Sequence, residues 1–225
     1  LVVRGIYTCT RAELEWYYRF GVSEMFPDKW EKFVALIPES ERNDLLAAYH
    51  QRLTGDDEEL QIAAARAWSL YEGETITLLP DPKLAEQHDD PHFALAFARI
   101  ETHYFMHGCW LEPNQLLRDA GRLKGIPGTI VHGRYDMPCP ARYAWQVHQA
   151  WPGAGLRLVE GAGVDGLVER DPQFVREARV GRVQRPAIRL GYSGQSAHGA
   201  GEGYDLLRAR ARGGHRTGGP RLGWR

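Results

Sequence analysis

The chain reads as an α/β protein whose short parallel sheet is interrupted by a long all-helical insertion, and three observations predict this. Thr129-Ile130-Val131, a β-branched run after the Pro127-Gly128 turn, has the composition of a buried strand. A loop from Gly133 to Pro140 follows it. Next come Tyr143, Val147 and Ala150 at helical spacing, the stop Trp151-Pro152-Gly153 and a second apolar run, Leu156-Arg157-Leu158-Val159, which together make one parallel βαβ unit. Between the apolar start Leu1-Val2-Val3 and that unit, almost every segment carries helical periodicity with readable punctuation.

In chain order, Leu1-Val2-Val3 is expected as a strand, and Arg4-Gly5 leads into Ile6-Tyr7, so Tyr7 falls at a strand end, where α/β folds collect ligands. Residues 11–20 have helical composition, with Leu14, Tyr17 and Tyr18 on a shared face. Pro27 suits the first position of a helix bearing Trp30 and Phe33, and Ser40 is expected to cap the helix with Leu45, Leu46 and Tyr49. Asp56 with Glu59 resembles a capping box ahead of Leu60, Ala64, Ala67, Trp68 and Tyr71. Asp81-Pro82 repeats the cap-then-proline signal, and residues 92–105 read as another helix; no repeat of fixed period is present. The organisation expected is a core of residues 1–12 and 124–163, a helical block of residues 13–123, and a tail of residues 164–225.

At 225 residues, with 43% hydrophobic and 25% charged residues, the composition is that of an ordinary globular protein. A formal net charge of -1 gives no electrostatic argument for nucleic acid or anionic lipid, and no membrane span is expected. Cys9, Cys109 and Cys139 are odd in number and widely spaced, without a zinc-type pattern; they predict a reducing, cytoplasmic setting, no metal and no cofactor. The chain begins on Leu1 with no visible secretory signal, which reads as the start of a fragment. From Val164 the character changes: the tail has no Lys, is loaded with Gly, and has Arg from Arg170 to Arg225. This break is expected to mark translation in a shifted frame, and so few apolar residues predict a disordered tail beyond one helical stretch near residues 172–180.

The loop Gly133-Arg134-Tyr135-Asp136 resembles the Gly-x-x-Asp loop that carries the acid of α/β-hydrolases, whose histidine sits in the loop after the next strand. More narrowly, residues 1–163 are similar to the C-terminal two thirds of a proline iminopeptidase. The resemblance runs in order through Leu1-Val2-Val3-Arg4-Gly5-Ile6-Tyr7, Ala67-Trp68-Ser69-Leu70-Tyr71-Glu72-Gly73, Phe93-Ala94-Leu95-Ala96-Phe97-Ala98-Arg99-Ile100-Glu101 and Gly133-Arg134-Tyr135-Asp136. It implies a partial α/β-hydrolase sheet under a helical cap and a serine aminopeptidase that releases N-terminal proline from peptides. Asp136 would be the triad acid, Glu72 and Glu101 the ligands of the substrate amino group, and Tyr7 and Tyr17 part of the proline pocket, with Arg4 neutralising a nearby carboxylate. For Glu72 and Glu101 the alternative is a structural ion pair with Arg66 or Arg99.

Two departures bear on activity. The nucleophile elbow Gly-x-Ser-x-Gly that the resemblance implies is absent, as is the oxyanion loop, and Val164 stands where the family has histidine. Valine transfers no proton, so the chain is expected to be inactive alone. Gly191-Tyr192-Ser193-Gly194-Gln195 has its second glycine one place early for an elbow. The competing reading is a polyanion-binding protein that uses the Arg-rich tail without catalysis; the absence of aromatics interleaved in the Arg run weighs against it.

Overall fold

The computed structural model describes residues 1–164. The expectations for residues 165–225, namely the disordered tail, the helix near 172–180 and the elbow-like glycine cluster, lie outside them. Three strands, β1 (Val2–Arg4), β2 (Gly128–Gly133) and β3 (Ala154–Val159), form a parallel sheet in the order β1-β2-β3. Val3 is paired with Ile130, and Ile130 with Leu156, so the apolar run read as a strand is the central one. Ile130 and Val131 are fully buried on opposite faces of the sheet, Ile130 in one cluster with Ala144 of α9 (Ala141–Ala150), which closes the βαβ unit, and Val131 with Val159 and Ala162. Ile6, Ala120, Ile130, Ala144, Trp151 and Ala154 make the core of this part.

Between β1 and β2 the chain is helical: α1 (Arg11–Glu15), a π-helical turn (Trp16–Phe20), α2 (Val22–Met25), α3 (Pro27–Ala35), α4 (Leu45–Thr54), α5 (Glu58–Thr75), α6 (Pro82–Asp89), α7 (Pro91–Met106) and α8 (Gln115–Asp119), with short 3-10 turns. Their core is separate from that of the sheet and largely aromatic. Phe33 lies between Tyr49 and Tyr71, with ring centroids at 4.7 and 4.4 Å, and Trp68 is fully buried beside them. Such rings bury large apolar areas with defined geometry, so a few of them hold several helices in one arrangement.

Local signals set most helix starts. Pro27 opens α3, Asp81 accepts from the Lys83 and Leu84 amides ahead of Pro82, and Asp90 caps α7. Two caps differ from expectation. Asp44, not Ser40, accepts the Ala47 amide at α4, because residues Glu39–Asp44 form a 3-10 turn before the helix begins; Asp57, not Asp56, accepts the Leu60 amide at α5. In each case an aspartate closer to the first turn takes the cap, four residues on at α4 and one residue on at α5. Residues 11–20 are also not one α-helix. The π-helical turn inserts an extra residue, and adjacent Tyr17 and Tyr18 are both buried as a result.

Cys9 and Cys109 form a disulfide, leaving Cys139 as the free and buried cysteine. With two of the three paired, the cysteine count no longer argues for a reducing setting. Among the described residues no helix is long and apolar enough to cross a membrane.

Candidate active site

Asp136 lies just beyond β2, in the loop opened by Gly133. That loop packs directly on the one following β3. A Cβ at Gly133 would lie 2.2 Å from the Gly163 carbonyl oxygen, so only glycine allows the approach, and the Tyr135 amide donates to the Ala162 carbonyl at 3.0 Å. Val164 follows, with its side chain against Gly5 at the end of β1. The two slots that the sequence marked, at Asp136 and after Gly163, are therefore on adjoining loops at the C-terminal end of the sheet.

Asp136 is buried and accepts the Cys139 amide at 2.9 Å through Oδ1. His132, on β2, is fully buried and does more than fill space. Its Nδ1 accepts the Ile6 amide at 3.0 Å and its Nε2 lies 2.7 Å from the Cys139 carbonyl oxygen. A backbone amide can only donate and a carbonyl only accept, so the ring is the neutral tautomer carrying its proton on Nε2. Burial, partly offset by the Cys139 carbonyl, pushes its pKa below the usual histidine value. One neutral ring thus joins the end of β1 to the loop bearing Asp136.

The helical side of the site is built on α5, α7 and the π-helical turn. Glu72 is fully buried and accepts a short hydrogen bond from the Tyr18 hydroxyl. Tyr18 stacks on Trp68 with centroids 4.4 Å apart, and the Trp68 indole N–H donates to Glu101 at 2.8 Å. The two carboxylates singled out from sequence are thus held by one stacked aromatic pair. The alternative partners are engaged elsewhere: Arg66 pairs with Asp89, and Arg99 donates to the Leu53 carbonyl and the Gln61 side chain.

Tyr7, Glu13, Leu14, Tyr17, Tyr18, Phe105, Pro138 and Cys139 line a small cleft beside this pair. The Tyr7 hydroxyl is buried and has no hydrogen-bond partner among the described residues. Burial first, then the negative charges of Glu13, Glu101 and Glu72, push its pKa up, so it remains a neutral phenol with a proton to donate. Burial and the carboxylates of Asp136, Glu13, Glu72 and Glu101 likewise raise the Cys139 thiol. Tyr17 is buried and its hydroxyl lies 2.6 Å from Thr75 Oγ1. Arg4 is exposed at the end of β1, with no carboxylate of the described residues within ion-pair distance.

Sequence reasoning missed Glu13, Tyr18 and Cys139. Glu13 is buried and accepts from the Thr8 amide and hydroxyl at 2.8 and 2.6 Å and from the Thr10 amide and hydroxyl at 2.8 Å each. Thr10-Arg11-Ala12-Glu13 has the spacing of a capping box, which was the available signal. Nothing in sequence distinguished Tyr18 from Tyr17.

No protein-family model matches the chain. A protein of Xylella fastidiosa (strain Temecula1 / ATCC 700964) is 52% identical over 184 residues, 78% of this chain and 59% of that protein. One of Xanthomonas citri is 54% identical over 183 residues, 77% of this chain and 58% of that protein, and one of Arabidopsis thaliana is 46% identical over 165 residues, 72% and 43%. All three are described as proline iminopeptidase. The chain resembles the proline iminopeptidases. It spans less than two thirds of the length of these relatives. Among solved structures, an acetylester hydrolase from Corynebacterium glutamicum aligns over 80% of this chain and 59% of its own, at 17% identity and a TM-score of 0.42. The proline iminopeptidase resemblance covers the part of the chain that holds both Asp136 and the Glu72–Glu101 pair.

Proposed function

We propose that this chain carries the substrate-recognition half of a prolyl aminopeptidase: Glu72 and Glu101 take the free ammonium group of a peptide, and Tyr7, Tyr17 and Tyr18 enclose its N-terminal proline ring. Asp136 is then the acid that would orient a catalytic histidine in the adjoining loop. The observation that carries this reading is the pair of carboxylates fixed by the Tyr18–Trp68 stack at the edge of an aromatic cleft. A carboxylate in such surroundings attracts a cation more strongly than it would in water, and each charge-assisted hydrogen bond contributes about 1.5–3 kcal/mol. The neutral Tyr7 hydroxyl, buried without a hydrogen-bond partner among the described residues, supplies a donor for the bound peptide's carbonyl. The names of the relatives support the same substrate class.

Binding tests this without requiring turnover. Titration calorimetry on the full chain should show prolinamide binding at least about tenfold more tightly than N-acetylprolinamide, whose nitrogen carries no charge. Glu72→Gln and Glu101→Gln should each remove about tenfold of that preference. Equal binding of the two amides, or carboxamide variants that bind prolinamide normally, would overturn the reading.

A further inference from the structure

The disulfide between Cys9 and Cys109 spans a sequence separation of 100 residues, with Cα atoms 6.5 Å apart. Cys9 lies between β1 and α1, and Cys109 lies in the 3-10 turn that follows α7. The bond therefore joins the segment by which the chain enters the long helices to the segment by which it leaves them. Tyr7, two residues before Cys9, and Phe105, four before Cys109, pack together with ring centroids 6.0 Å apart, and both line the cleft.

The backbone marks the same two places. Cys9 has φ 56° and Cys109 φ 53°, with Trp110 at 55° beside it. Side chains of L-residues rarely adopt this left-handed region, so both bonded cysteines are held in a conformation that their own backbone disfavours. Both are half-buried, within reach of a small thiol, whereas Cys139 is buried and burial raises its thiol pKa.

We infer that the Cys9–Cys109 bond is a redox-sensitive clasp on the mouth of the cleft: oxidised, it holds the Tyr7 and Phe105 segments together, and reduced, it lets them part. The clasp rests on the geometry of the cleft and not on the ligand proposed for it. In the reaction, a thiolate of a small dithiol attacks one sulfur and forms a mixed disulfide, and the other cysteine leaves as a thiolate that takes a proton from water. The reagent's second thiol then displaces the first cysteine. Two protein thiols and one cyclic disulfide of the reagent result, with two electrons transferred to the protein.

Hydrogen exchange on the full chain, with and without dithiothreitol, tests the clasp. Alkylation with N-ethylmaleimide in denaturant without reductant should modify one cysteine per chain. Reduction should then speed exchange at least tenfold in residues 7–11 and 105–111 while leaving α5 unchanged. Cys9→Ser/Cys109→Ser should show the fast exchange from the start and no response to dithiothreitol, and Cys139→Ser should respond as the parent does. Three alkylations per chain, unchanged exchange at both segments, or an equal acceleration throughout α5 would each overturn the clasp, the last because the bond would then brace the whole fold.

Discussion

Glu13 and His132 show how much one side chain can organise here. Glu13 collects four hydrogen bonds from Thr8 and Thr10 and so shapes the turn between β1 and α1. Glu13→Ala would leave buried donors without an acceptor at about 1–3 kcal/mol each, partly recovered by entering water. The expected loss is roughly 2–4 kcal/mol, seen as a fall in Tm of roughly 5–15 °C, with a smaller fall for Glu13→Gln, which keeps one acceptor. His132 makes stability depend on pH. Its folded pKa is depressed, so as pH falls through the unfolded histidine value of about 6.5 the unfolded chain takes up a proton that the native ring does not. Its contribution is therefore present above that pH and lost as pH falls towards the lower native value; burial depresses His88 in the same direction. Urea midpoints should drop between pH 7.5 and pH 5.5, and the drop should be shallower in His132→Asn.

At the scale of elements, the site depends on how closely two loops approach. The loop after β2 and the loop after β3 touch at Gly133, where an added Cβ would meet the backbone oxygens of Gly163 and Ala162 at 2.2 and 2.7 Å. Backbone on both sides leaves no flexible side chain to yield. Gly133→Ala should thus cost at least about 2 kcal/mol by overpacking and should break the bond from the Tyr135 amide to Ala162. Faster exchange at the Tyr135 amide with α5 unaffected is the expected sign, and an unchanged Tyr135 would mean the loops can separate freely. The π-helical turn acts in the same way on the other side. By adding a residue to the turn it buries both Tyr17 and Tyr18, and the second of these reaches Glu72.

Across the whole described region, a sheet core and an aromatic helical core are distinct, and specific contacts join them: the Trp16 indole N–H donates to the Met137 carbonyl at 2.8 Å beside Asp136, Tyr7 packs on Phe105, and the disulfide lies alongside. The residues proposed to recognise substrate and the proposed triad acid thus meet at one junction, but the 225-residue sequence contains no Gly-x-Ser-x-Gly and places Val164 where a proton-transferring side chain would be needed. Members of a catalytic triad act as a unit, so restoring one of them restores little. The full chain should show no release of the leaving group from a prolyl arylamide, and Val164→His alone should show none either. Turnover by the unaltered chain that a serine-directed inhibitor abolishes would contradict this.

What the sequence determined by itself is local or periodic. The apolar runs at Thr129 and Leu156, the Pro and Asp punctuation of α3, α6 and α7, and the Gly-x-x-Asp loop all act within a few residues, so they could be read without knowing what packs where. Glu72 and Glu101 could be singled out by resemblance, but the aromatic stack that holds them joins residues 18, 68, 72 and 101, and no local signal spans that distance. The bond between Cys9 and Cys109, the bridging role of His132 and the burial of the Tyr7 hydroxyl beside Phe105 were decided only when tertiary structure closed loops of about 100 residues. Hydrogen bonds and disulfides form between atoms that meet in space, and for widely separated residues it is the packing of the two cores that determines which atoms meet.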